Sequence, residues 1–329
     1  MLRKVASLTA FLALSAFVPT GVSAHAATGL EGVPSFGHVF LIVGENTSLS
    51  ELNKTNAPYQ LGWVRQNSAW LTDYWAISHY STSNYIAMTS GQFLPCHQAD
   101  EKPATCNQNV NNLFHQFDVA GVSWLEWNES MPEPCYLVNA GASKDGNSYR
   151  VKHNPAVYYA NIEGGNFSGT QGTSSECLNK VIAMGDTSFN DTSDFDAALA
   201  DGDVADFNYI VPNQCEDAHD NCKPQGSNIR QFDDFLQREI PQILDSPAWG
   251  PSDLIFVVYD EGGGKSPNNT DKFAGGNPPF AVIGGPVHDA IYPQFANHYS
   301  LLRTLEDGFG ISQHLGAAHG AATLGNIWN

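Results

Sequence analysis

Positive charge is scarce in this chain: Lys and Arg number 15 against 34 Asp and Glu over 329 residues, a formal net charge of −19. Nucleic-acid backbones and anionic membranes are held through clustered basic side chains, so this balance argues against both as partners. Beyond the first 26 residues no apolar run is long enough to span a bilayer, which leaves no stable membrane anchor. A linker rich in Pro or charge is missing, as is any internal repeat, so the chain reads as one domain. Cysteine is sparse, with six residues at Cys96, Cys106, Cys135, Cys177, Cys215 and Cys222. An even count in an exported chain favours disulfides over metal ligation. Six cysteines allow about fifteen pairings. The short spacings of Cys96 with Cys106 and Cys215 with Cys222 point to local loops and leave Cys135 for Cys177.

Export is read from the start of the chain. Met1 to Ala26 has Arg3 and Lys4, an apolar stretch from Val5 to Val18, then small residues ending at Ala24 or Ala26. These are the three parts of a secretory signal, so 1–26 is expected to be a signal peptide cleaved after 24 or 26, and 27–329 a single catalytic domain outside the cell. Cleavage deletes two positive charges and no negative one, which takes −19 to −21.

Two strongly apolar segments, Val39 to Val43 and Leu254 to Tyr259, run into oxygen-rich pairs, Glu45-Asn46 and Asp260-Glu261. Such runs read as buried strands of a parallel sheet, whose ligands gather at the carboxyl ends of the strands. Carboxylates converging there would repel one another without a cation between them, so the four residues are candidate ligands of one divalent metal. Hard oxygen ligands suit Ca²⁺, Mg²⁺ or Mn²⁺ without selecting among them.

Further strands are expected at Val122 to Trp127, Asn208 to Val211 and Phe280 to Ile283, and helices at Tyr59 to Trp70, Ser227 to Leu244 and His298 to Phe309. Strands alternating with helices predict an α/β sandwich with a largely parallel sheet. Long surface loops are expected at Asn139 to Asn147, Glu163 to Ser175 and Gly262 to Asn277.

The segment Ser78-His79-Tyr80-Ser81-Thr82-Ser83-Asn84-Tyr85 precedes the helix-compatible Ile86 to Ser90 and puts hydroxyls at a helix start. Free N–H groups and the positive dipole end there favour a phosphate, and a serine can attack it once a metal lowers its hydroxyl pKa. Three histidines, His153, His219 and His298, follow or adjoin turn-rich segments beyond strand candidates, and none of them is informative singly.

Together these segments resemble the phosphoesterase family of bacteria and fungi that includes secreted acid phosphatases and phosphatidylcholine-type phospholipases C. The marks run in the family's order over nearly the whole mature chain. They are Glu45-Asn46; His79 to Tyr85, similar to His-Pro-Ser-x-Pro-Asn-Tyr; Glu129-Ser130-Met131-Pro132; Lys152-His153-Asn154-Pro155; Val211-Pro212-Asn213 with Asp217-Ala218-His219-Asp220; Tyr259-Asp260-Glu261-Gly262-Gly263; and His298-Tyr299-Ser300 with Arg303-Thr304. The fourth and fifth resemble the acid phosphatase branch.

The resemblance implies an alkaline-phosphatase-like α/β sandwich with helices on both faces of the sheet. It implies a metal held by Glu45, Asn46, Asp260 and Glu261, a Ser81 nucleophile, Asn84 donating to a phosphate oxygen, and His79 and His153 beside the substrate. His219 and His298 complete the catalytic set, one of the histidines protonating the leaving alkoxide. The expected substrate is a small phosphorylated molecule or a phospholipid headgroup, cleaved as a monoester by way of phosphoserine. A phosphodiesterase or phospholipase C on the same scaffold is the alternative, and a silent phospho-ligand binder the second. Tyr80 and Ser83 stand where the family has prolines, so Thr82 and Ser83 remain rival hydroxyls. Lys265-Ser266-Pro267 stands where phospholipase-like members carry an Asp-His pair, which puts a second metal in doubt.

Overall fold

The computed structural model describes residues 29–93, 99–263 and 275–329. The expected leader, Cys96 of the first cysteine pair, Lys265-Ser266-Pro267 and part of the loop Gly262 to Asn277 lie outside them.

Eight strands form one sheet in the order β4-β3-β5-β1-β6-β7-β2-β8. They are β1 Val39–Gly44, β2 Ala69–Trp75, β3 Trp124–Asn128, β4 Val181–Ala183, β5 Phe207–Val211, β6 Leu254–Tyr259, β7 Phe280–Gly284 and β8 Ala290–Asn297. All pairings are parallel except those of β7, which runs against β6 and β2. The sheet is therefore largely parallel, as the β-α alternation predicts.

Among the described residues eight α-helices accompany it: α1 Ser81–Ser90, α2 Pro103–Cys106, α3 Leu113–Ala120, α4 Ala160–Glu163, α5 Ser175–Lys180, α6 Ser193–Asp201, α7 Asn228–Asp245 and α8 His298–Gly308. The period-two alternation of the central strands sends side chains to opposite faces, where separate apolar layers form. Val39, Leu41 and Val43 of β1 join Tyr85, Ile86 and Met88 of α1, Phe114 of α3 and Leu301, Leu302 and Leu305 of α8. Phe40 and Ile42 join Phe195 of α6 and Phe232, Phe235, Leu236, Ile240 and Ile243 of α7. Burying each such side chain contributes about 1.5–3 kcal/mol, and with helices on both faces the central strands are wholly enclosed.

Three strands were not expected from the sequence, and one helix was too long. Tyr59 to Trp70 divides into a π-helical turn, Gln60–Val64, and the start of β2 at Ala69. β4 has only three residues, and β8 is a mostly exposed edge strand containing Pro293, so neither carries a clean alternation of apolar residues. Disulfides join Cys135 to Cys177 and Cys215 to Cys222. No helix among the described residues is long and apolar enough to cross a membrane.

Candidate active site

Register brings the two oxygen-rich pairs together. Parallel pairing sets Gly44 of β1 beside Tyr259 of β6, and the next residues on the two strands are Glu45 and Asp260. The Asp260 N–H donates to the Gly44 carbonyl (3.0 Å), and the Thr47 N–H to that of Glu261 (2.9 Å). Gly44 is required here: a Cβ would meet the Phe232 ring at 2.6 Å. Past it the chain turns at Asn46 with φ +40°, and the Asn46 N–H donates to Asp260 Oδ1 (3.1 Å). Glu45, Asp260 and Glu261 are buried, and one carboxylate oxygen from each lies within 4.8 Å of the other two. Asn46 is exposed at the rim.

Ser81 is the first residue of α1 and is 1% exposed. Its Oγ donates to Glu45 Oε1. Asn84, one turn on, holds the preceding loop: its Oδ1 accepts from the N–H groups of Ile77 (3.1 Å) and Ser78 (2.9 Å), and its Nδ2 donates to the Ser78 carbonyl (2.8 Å). This amide clasp sets the direction of the chain into the helix where the family's prolines are missing. Thr82 is also buried, but its N–H and hydroxyl face Asp100 (3.2 and 3.5 Å).

The histidines occupy three different settings. His153 is buried between Glu45 Oε1 (2.9 Å from Nε2) and Asp217 Oδ2 (3.1 Å from Nδ1), with Tyr85 stacked on its ring at 5.3 Å. Burial pulls its pKa down, but Asp217 and Glu45 outweigh that and push it up to about 9, so it stands as a cation. His219 is partly exposed; its Nδ1 lies 2.9 Å from Asp220 Oδ1, and its ring centre is 6.4 Å from that of His153. Ala218 before it has φ +82°, a costly conformation for a residue with a Cβ, and it separates Asp217 from His219. His298 is fully buried behind the carboxylates, with Nδ1 2.8 Å from the Tyr74 hydroxyl and Nε2 2.6 Å from the Asp260 carbonyl. Burial brings its pKa down to about 4 against the pull of that carbonyl, so it is neutral, and both ring nitrogens are engaged inside the protein. His79 pairs with Glu261 Oε2 at 3.1 Å.

Sequence reasoning quoted Lys152 and Asp217 within two of the motifs but gave them no role, and it passed over Asp100. Lys152 Nζ lies 3.1 Å from Ser81 Oγ, 3.3 Å from Glu45 Oε1 and 3.3 Å from Asp100 Oδ2. The signal available was a lysine directly before His153 in a chain poor in basic residues.

The donor set fits a hard cation. Glu45 Oε2 and Asp260 Oδ2 are buried with no hydrogen-bond partner, a costly arrangement unless something positive binds them. Burial pushes Glu45 up, but Lys152, His153 and His219 outweigh it and hold this carboxylate below the usual range. Burial and the charge of Glu45 push Asp260 well up and Glu261 up to about 9. Three buried carboxylates thus meet in one pocket, where their mutual repulsion favours a bound cation.

A mostly parallel sheet with helices on both faces carries an oxygen-rich site at the carboxyl ends of its central strands, where open α/β sheets hold their ligands, and the fold is alkaline-phosphatase-like. A solved structure of an alkaline phosphatase superfamily protein from Vibrio parahaemolyticus superimposes with a TM-score of 0.59 at 12% identity, over 87% of this chain and 69% of that one. Murine ectonucleotide pyrophosphatase/phosphodiesterase 5 gives 0.54 at 11% identity, over 90% of this chain and 100% of that one. These likenesses are of fold. A family model described as the Phosphoesterase family matches residues 37–312, and the chain belongs to that family. A probable acid phosphatase of Kluyveromyces lactis is 24% identical over 92% of this chain and 64% of its own length. A phosphate-repressible acid phosphatase of Penicillium chrysogenum is 27% identical over 73% of this chain and 52% of its own. A phosphatidylinositol-3-phosphatase of Mycobacterium tuberculosis is 24% identical over 90% and 84%. The chain thus spans about half to two thirds of the fungal relatives it matches.

Proposed function

We propose that this protein is an exported, metal-dependent phosphatase that hydrolyses phosphate monoesters through a phosphoserine on Ser81. The observation that carries the proposal is the meeting of Ser81 Oγ, at the start of a buried helix, with Glu45 of a three-carboxylate cluster. Glu45, Asp260 and Glu261, with Asn46 at the rim, would hold one divalent ion of the Ca²⁺, Mg²⁺ or Mn²⁺ type. When bound, that ion supplies a lowered serine pKa and neutralising charge at the phosphoryl oxygens.

Ser81 Oγ loses its proton to solvent and bonds to phosphorus as the bond to the leaving oxygen breaks. His219, partly exposed and braced at Nδ1 by Asp220, gives that oxygen its proton. Water then attacks the phosphoserine, its proton passes to His219, and the Ser81 oxygen leaves phosphorus and regains its proton from solvent. The N–H groups at the start of α1 and the His153 cation stabilise the transferring charge. Asn84 fixes the loop that aims Ser81, and His298, locked between Tyr74 and the Asp260 carbonyl, supports the cluster from behind. His79 steadies Glu261 at the substrate side.

Monoesters are favoured by the acid phosphatase names among the curated relatives, and the mycobacterial relative supports phosphoinositides as one substrate. The disulfides Cys135–Cys177 and Cys215–Cys222 support an oxidising compartment. Ser81→Ala is expected to lower turnover of p-nitrophenyl phosphate by at least about 1,000-fold without loss of fold or metal. Chelation should silence the wild-type enzyme, and one of the three ions should restore it. Near-normal turnover by Ser81→Ala would transfer the role to Thr82 or Ser83; activity confined to the bis-ester or to phosphatidylcholine would make the protein a diesterase.

A further inference from the structure

A phosphate monoester brings up to two negative charges into a pocket that already holds three carboxylates. Two-metal phosphatases meet such a charge by placing a cation on each side of the transferred group. Among the described residues this chain has a single carboxylate cluster of the kind that holds a divalent ion, Glu45-Asp260-Glu261. A fixed positive charge nevertheless stands on the nucleophile. Lys152 donates from Nζ to Ser81 Oγ at 3.1 Å while its side chain is 15% exposed.

We infer that Lys152 is a further catalytic residue, the organic counterpart of a second metal, which holds the Ser81 oxygen and the incoming phosphoryl group in one charge field. The inference rests on the Ser81 reading above. Lysine suits the task because its ammonium is a compact charge with three donors. Ser81 Oγ and Glu45 Oε1 take two of them, and Asp100 Oδ2 takes the third at 3.3 Å. Asp100 also accepts from the Thr82 N–H in the first turn of α1, so one carboxylate ties the lysine to the helix that carries the nucleophile. The short 3₁₀ turn Val151–His153 brings Lys152 and His153 to Glu45 together, so two cations reach the site from adjacent residues. When Ser81 loses its proton, the Nζ hydrogen bond to Oγ becomes charge-assisted at both ends and strengthens, as transition-state stabilisation requires.

The test compares Lys152→Met with the wild type and with Ser81→Ala. Each is assayed for metal content by elemental analysis, for inorganic phosphate binding by calorimetry, for thermal melting, and for turnover of p-nitrophenyl phosphate. Lys152→Met is expected to bind metal normally, to bind phosphate at least about tenfold more weakly, and to turn over about 100- to 1,000-fold more slowly. Wild-type turnover and phosphate affinity in a folded, metal-loaded Lys152→Met overturns the inference. Ser81→Ala separates the two failures: if it too retains activity, the Ser81 reading falls, whereas a dead Ser81→Ala beside a normal Lys152→Met removes Lys152 alone. Should Lys152→Met not fold, Asp100→Asn loosens the lysine through an exposed residue. A roughly tenfold loss of turnover with unchanged metal supports the inference, and wild-type kinetics there overturns it.

Discussion

At the scale of single residues, the site separates histidines that sequence treats alike. His153, His219 and His298 all follow turn-rich segments, yet their surroundings give them different chemistry. Asp217 and Glu45 make His153 a cation, burial keeps His298 neutral, and His219 stands partly exposed beside Asp220. A general acid matters most when the leaving group is a poor one. His219→Gln is therefore expected to slow an alkyl phosphate at least about tenfold more than p-nitrophenyl phosphate, whose leaving group needs no proton. His298→Gln should slow both equally, because it disturbs the Asp260 backbone rather than proton transfer. Measuring both substrates with both variants checks the assignment, and a leaving-group-selective loss in His298→Gln would reverse it. The carboxylates of the site were legible from sequence because each ends an unmistakable apolar run. Lys152 and Asp100 were not, since they reach the nucleophile only through packing of a turn and a loop against α1.

At the scale of elements, β3 carries a buried acid, Glu126, outside the carboxylate cluster. Glu126 Oε2 accepts from the Ala156 N–H (3.1 Å) and Oε1 from Asn128 Nδ2 (3.2 Å), so it ties the strand to the turn that follows Lys152 and His153. Burial pushes its pKa from 4.5 up to about 8, against the pull of those two hydrogen bonds. The sign follows: below pH 4.5 the group is protonated folded or unfolded, and from there to about 8 only the folded chain keeps the proton. Its contribution to stability is thus present at acid pH and is lost as pH rises through that window, by at most about 1.4 kcal/mol per pH unit. Glu126→Gln mimics the neutral acid, and Asn128 Oδ1, which has no partner, can accept from the new amide. Urea unfolding should give similar stabilities near pH 5 and a more stable variant near pH 8. A wild type whose advantage over Glu126→Gln grows with pH would contradict the assignment. Among the elements, β1, β5, β6, β7 and α7 were legible because periodicity and length agreed. β2 was hidden beside a helical turn, and β4 and β8 lack an enclosed face to enforce alternation.

At the scale of the whole molecule, an acidic surface surrounds a site whose positive charge is local. The chain has 34 acidic and 15 basic residues, yet Lys152 and His153 are placed against Glu45 at the centre of the sheet. Such a molecule is suited to a small phosphorylated substrate drawn in by the charge of the site, since its wider surface repels polyanions. The parallel core makes this possible by bringing residues 45, 81, 153, 217 and 260 to one edge, a convergence that strand endings announced for two segments and that the fold completes for the others. The most direct test is to quench the metal-loaded enzyme in acid during turnover of a phosphate monoester and to map the phosphoryl group by peptide mass spectrometry. The account predicts label on Ser81 in the wild type and none in Ser81→Ala. Rapid turnover with Ser81 unlabelled, or with the label on Thr82 or Ser83, would contradict it.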